Sequence, residues 1–81
     1  MNILTLDRLL INQSAIVAKI NSSGLMRRRL MDIGIVPGTK LKCVLSSPIG
    51  NPRAYFVKES LIALRTKDAM EIEVDLIWEL L

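Results

Sequence analysis

The sequence contains no histidine and only one cysteine, Cys43. A single thiol excludes an intramolecular disulfide, and the usual ligand sets of zinc and haem are missing. That cysteine usage suits a reducing compartment and points to the cytoplasm. Without histidine, and with no evident partner for Ser46 or Ser47, the ordinary nucleophile and base pairings are absent, so an enzyme is not expected. Aromatic residues are scarce at 4%, which removes the stacking platform that single-stranded nucleic acid needs. No apolar run reaches the roughly 18 residues of a membrane helix. The opening, "MNILTLDRLLINQS", carries Asp7 and Arg8 and no basic leader region, so it does not read as a secretory signal. Glycines 24, 34, 38 and 50 never fall at a phosphate-loop spacing. The net charge of +3 is mild, and its cations are dispersed except at Arg27, Arg28 and Arg29, too little to imply nucleic acid.

What is present is a folded domain. Hydrophobic residues make up 51% of the 81-residue chain and charged ones 23%, so residues 1–81 read as one compact unit. A chain of this length hides about 60% of its unfolded surface, which demands a tight core. The opening leucines Leu6, Leu9 and Leu10 are available to fold over a core edge. "SAIVAKIN" predicts a first strand with Ile16, Ala18 and Ile20 on one face. Ser22 and Ser23 are then placed to cap a helix whose stripe is Met26, Leu30 and Ile33. Gly34 is positioned to end that helix in the left-handed conformation, Ile35 to supply the accompanying apolar contact, and Pro37 to forbid continuation.

Val36-Pro37-Gly38-Thr39 matches a type II turn. The next strand alternates Leu41, Cys43 and Leu45 with Lys40 and Lys42. "SSPIGNP" is a loop. "RAYFVK" is a strand with Ala54 and Phe56 opposite Tyr55 and Val57, and the pattern leaves open which pair faces inward. A tight Lys58-Glu59-Ser60 connection leads to "ESLIALR", and "TKDAM" suggests one helical turn capped by Thr66. "EIEVDLI" is the last strand. Five short strands with one short helix between the first two predict a mainly β chain, a small and strongly bent barrel that closes its own edges.

Three features are candidates for function. Successive helical residues advance by about 100°, so Arg27, Arg28 and Arg29 fan around the helix instead of forming one stripe. They read either as a solvated face or as a docking surface for an acidic or phosphorylated partner. Glu71, Glu73 and Asp75 alternate along the last strand like hard oxygen ligands for a divalent cation. Residues two apart on a strand nevertheless sit about 6.6 Å from each other, which favours a solvated face. The tail residues Leu76, Ile77, Trp78, Leu80 and Leu81 either cover the base of the barrel or pair with the N-terminal leucines, or else form a sticky tail for self-association or for a partner.

Taken together, "RRRLMDIGIVPGTKLKCV", "SPIGNPRAYFV" and "SLIALRTKDAMEIEV" resemble the ferrous iron transport protein A (FeoA) family. The residues that carry the likeness are Leu30, Gly34, Pro37, Gly38, Pro48, Gly50, Pro52, Leu64 and Arg65. It spans about Ser14 to Val74. The resemblance implies an SH3-like β-barrel that acts as a small cytoplasmic accessory of FeoB, the membrane ferrous-iron transporter with an attached GTP-binding domain. No cofactor and no nucleic-acid partner are expected. On this reading Arg27, Arg28, Leu30 and Met31 would contribute to the surface that touches the transporter, and the hydrophobic tail could join copies of the chain. Two other classes stay open: a metal-sensing module that holds Fe(II) or another divalent cation weakly near Glu71, Glu73 and Asp75, and a nucleic-acid-binding SH3-like domain with a steep salt dependence. The turn at Lys58-Glu59-Ser60 lacks the glycine of many relatives, so a wider or tilted hairpin is expected there.

Overall fold

A computed structural model describes residues 3–47 and 52–77. The elements are β1 (Ile3–Thr5), a 3-10 turn (Leu6–Arg8), β2 (Ser14–Ile20), α1 (Gly24–Asp32), β3 (Lys40–Ser46), β4 (Arg53–Val57), β5 (Ser60–Leu64), α2 (Thr66–Ala69) and β6 (Ile72–Ile77). All strands join one sheet in the order β1-β6-β2-β3-β4-β5, and every neighbouring pair is antiparallel. The fold is thus mainly β, with six strands in place of the five expected. The additional one is β1, whose three residues pair with β6 through Leu4 and Val74; so short a segment shows no period in the sequence. β1 and β5 are the two edges of the described sheet, so it bends around its core without hydrogen-bonded closure.

The inner faces follow from where the alternation is broken. On β2 the buried residues are Ala15, Val17 and Ile20, while Ile16 and Ala18 are exposed. The register against β6 shifts between Val17 and Lys19, and such a bulge moves the following side chains to the other face. Strict alternation through Ile16, Ala18 and Ile20 therefore fails. A second shift, between Cys43 and Leu45 opposite β4, keeps Leu41 and Cys43 in the core but turns Leu45 out, 60% exposed. On β4 the inner pair is Tyr55 and Val57, and Phe56 points outward. Leu6 and Leu9 cover the core as expected, whereas Leu10 is exposed.

The end of α1 is built as the glycine and proline spacing requires. Ile33 is the C-cap, Gly34 has φ +96°, its N–H donates to the Met31 carbonyl (3.0 Å), and the Ile35 N–H donates to the Leu30 carbonyl (2.9 Å). This is the Schellman pattern, and its apolar pair, Leu30 and Ile35, is fully buried. The type II turn follows, with Gly38 at φ +94° and the Thr39 N–H donating to the Val36 carbonyl (3.0 Å). Thr39 Oγ1 donates to the Gly34 carbonyl (3.0 Å), locking turn to helix end. The turn is also held to β2, because the Gly38 N–H donates to Val17 and the Val17 N–H to Thr39.

Three local expectations need correction. Ser23 occupies the N-cap of α1 without a side-chain cap bond, and Ser22 is buried with its hydroxyl unpartnered. Arg65, not Thr66, is the N-cap of α2, its carbonyl accepting from the N–H groups of Asp68 and Ala69. The β4–β5 hairpin is narrow, not wide: Val57 faces Ser60, and Lys58 and Glu59 make the whole turn at φ +47° and +67°.

Candidate functional site

The helix α1 carries the basic candidates on different sides, as a 100° advance per residue demands. Arg27, Arg28 and Met31 meet with Gly24 and Asp32 around a shallow depression. Arg28 is exposed and Met31 half exposed. Arg27 has a structural task as well, since its Nη1 donates to the Ile20 carbonyl at 2.9 Å and ties the helix to the end of β2. Leu30 does not belong to this surface. It is fully buried in the core cluster, where it forms half of the helix-ending apolar pair. Arg29 lies on the other side of α1. It lines a groove of about 640 Å³ between α1, β5 and α2, together with Met26, Ile33, Leu61, Arg65 and Lys67.

The acidic row is not gathered into a centre. Glu71 precedes β6 in a turn and is exposed, Glu73 Oε2 accepts a hydrogen bond from Asn21 Nδ2 (2.7 Å), and Asp75 is half-buried on β6. Among the described residues no group of three or more histidine, cysteine, aspartate or glutamate side chains could hold a metal ion.

The motif residues have local structural tasks. Gly34, Pro37 and Gly38 form the joint described above, Leu64 is buried, and Arg65 caps α2 through its backbone. The Pro52 carbonyl accepts from the Ser47 N–H (3.3 Å). Pro48, Gly50, Trp78, Leu80 and Leu81 lie outside the described residues.

The sequence reading passed over a buried polar cluster centred on Arg53. Its guanidinium donates to the carbonyls of Asp7 and Leu9 and touches Cys43 Sγ at 3.5 Å. Two residues on, the Tyr55 hydroxyl donates to the Leu6 carbonyl at 3.2 Å. Burial pushes the Tyr55 hydroxyl up to about 12, against the opposing pull of the nearby Arg53 charge. The two side chains thus bond three carbonyls of the opening segment from below and fasten it over the barrel. Arg53, Tyr55 and Val57 alternate in the sequence, and an arginine in step with two core residues was the available signal.

A small bent antiparallel sheet of short strands, with α1 inserted between β2 and β3, defines a small SH3-like domain. The FeoA domain family model matches residues 4–76, and the chain belongs to that family. One relative is the Fe(2+) transport protein A/Fe(2+) transporter FeoB fusion protein of Porphyromonas gingivalis (strain ATCC BAA-308 / W83), 31% identical over 72 residues. That match covers 89% of this chain and 8% of the relative, so the chain spans only a small part of the fusion's length. The solution structure of FeoA from Chlorobium tepidum superposes with a TM-score of 0.88 at 32% identity, over 93% of this chain and 71% of that one. The zinc complex of Stenotrophomonas maltophilia FeoA, described as a procaryotic SH3 domain protein, gives 0.79 at 30% identity over 89% of each chain. The family is associated with ferrous iron transport.

Proposed function

We propose that this chain is a non-enzymatic accessory of ferrous iron uptake that docks on the cytosolic part of a FeoB-type membrane transporter. The observation that carries this reading is the fusion relative, in which a homologous domain and a FeoB transporter share one polypeptide. Covalent linkage raises the effective concentration of one module at the other, an arrangement that suits domains which must meet. The reading places the chain in the cytoplasm, at the inner face of the membrane through its partner. No helix among the described residues is long and apolar enough to cross a membrane.

On this reading the contact surface is the depression around Arg28 and Met31, with Arg27 at its border. An exposed arginine beside a flexible thioether offers charge and adaptable apolar contact together. The test is equilibrium binding of the purified protein to its detergent-solubilised cognate transporter, with and without a GTP analogue. Saturable binding that weakens by about tenfold or more in Arg28→Glu supports both the partner and the surface. Absence of binding in every nucleotide state, with the protein folded, removes the transporter as partner. Unchanged affinity in Arg28→Glu removes this surface.

A further inference from the structure

We propose that the outer edge of β5 is a strand-addition site for an acidic, extended segment of a partner protein. The inference rests on the reading of this chain as a binding module, but it concerns a different surface from Arg28 and Met31.

β5 ends the described sheet and has β4 as its only neighbour. The two-residue turn makes Val57 and Ser60 a hydrogen-bonded pair, and antiparallel pairs alternate. Ser60, Ile62 and Leu64 therefore bond to β4, while the N–H and C=O groups of Leu61 and Ala63 point away from it. The far side of β3 fits this alternation: Lys42 pairs with Phe56 on β4, and its neighbour Cys43 sends its N–H to Gln13 on the β2 side.

Edges are normally blunted by charge, proline or brevity. β1, the opposite edge, has only three residues. β5 has five, reads Ser-Leu-Ile-Ala-Leu, and carries neither charge nor proline. Leu61 on it is 66% exposed. The edge opens on the groove of about 640 Å³ between β5, α1 and α2, whose apolar wall is Met26 and Ile33. Three cations, Arg29, Arg65 and Lys67, line this groove against one acid, Asp68. An extended peptide would bond the outward backbone groups, seat alternate apolar side chains against α1 and present its carboxylates to the cations.

The probe is an acetylated, amidated octapeptide of alternating glutamate and valine, compared with its lysine and valine counterpart, against the ¹⁵N-labelled protein. We expect amide shifts at Leu61 and Ala63, and exchange there slowed by about tenfold or more, with the lysine peptide at least about tenfold weaker. Leu61→Pro removes an outward donor and leaves the ladder to β4 intact. It should abolish probe binding, as should Arg29→Glu with Lys67→Glu, a pair that leaves the strand backbone untouched. Arg28→Glu should bind the probe as wild type does. Equal binding of both peptides, no shift at millimolar probe, or shifts confined to Arg28 and Met31 would overturn the proposal. The probe contains no transporter sequence, so failure of transporter binding leaves this test standing, and failure of the probe leaves the transporter reading standing.

Discussion

The phenolic hydroxyl of Tyr55 on β4 donates to the carbonyl of Leu6, 3.2 Å away on the turn that follows β1. A ring that is fully buried thereby closes the top of the core with its one polar atom satisfied. Below pH 10 the phenol is neutral in both folded and unfolded chains. Above it the unfolded chain releases the proton first, because the folded value is near 12, so stability falls as pH rises from about 10 to about 12. A shift of this size corresponds to about 2–3 kcal/mol across that window. Tyr55→Phe should cost about 1 kcal/mol at neutral pH and should show a smaller alkaline loss than wild type. Urea midpoints at pH 8 and pH 11.5 for both proteins check this.

Arg53 is the stronger half of the same fastening. It is buried with two carbonyl partners, those of Asp7 and Leu9, and a sulfur neighbour, so truncation leaves buried acceptors without donors. Arg53→Met should destabilise by about 2–4 kcal/mol. Arg53→Lys recovers only part of that, since a point ammonium cannot reproduce the guanidinium fork. Thermal melts followed by circular dichroism, with wild type and both variants at one concentration, give the order.

How far the sequence revealed this molecule depended on whether the signal was local. The joint Leu30-Gly34-Ile35-Pro37-Gly38 was readable because helix termination and the type II turn depend on neighbouring residues alone, and every bond expected there is made. On β2 the shared face of Ile16, Ala18 and Ile20, and on β3 the place of Leu45, were misread because bulges at Val17/Lys19 and Cys43/Leu45 arise from pairing with distant strands, whereas Leu41 and Cys43 lie in the core as their alternation implied. Leu30 looked available on a helix surface until Ile35 folded back on it. Arg53 was missed because its partners, at Asp7 and Leu9, lie over 40 residues away along the chain.

The three consecutive arginines should separate cleanly by mutation. Arg27 Nη1 holds the Ile20 carbonyl at 2.9 Å, whereas Arg28 lies exposed on the same depression. Arg27→Ala should lower stability by about 0.5–1.5 kcal/mol. Arg28→Ala should stay within about 0.5 kcal/mol of wild type. Equal losses in urea titration would show that the Arg27 bond contributes nothing beyond surface charge.

Gly34 and Glu59 occupy the same left-handed backbone region with opposite side-chain choices, at φ +96° and +67°. At Gly34 a Cβ would come within 3.3 Å of the Lys58 side chain, so Gly34→Ala meets both backbone strain and a tight neighbour. It should cost about 1–2 kcal/mol. At Glu59 the strain is already present, because the second residue of this two-residue hairpin favours glycine. Glu59→Gly relieves it while giving the unfolded chain more freedom, and a net gain of about 0.5–1 kcal/mol is expected. Chemical denaturation of the two single variants and the double variant decides the matter. The two effects couple through Lys58, so the double variant should depart from the sum of the singles by about 0.5 kcal/mol or more.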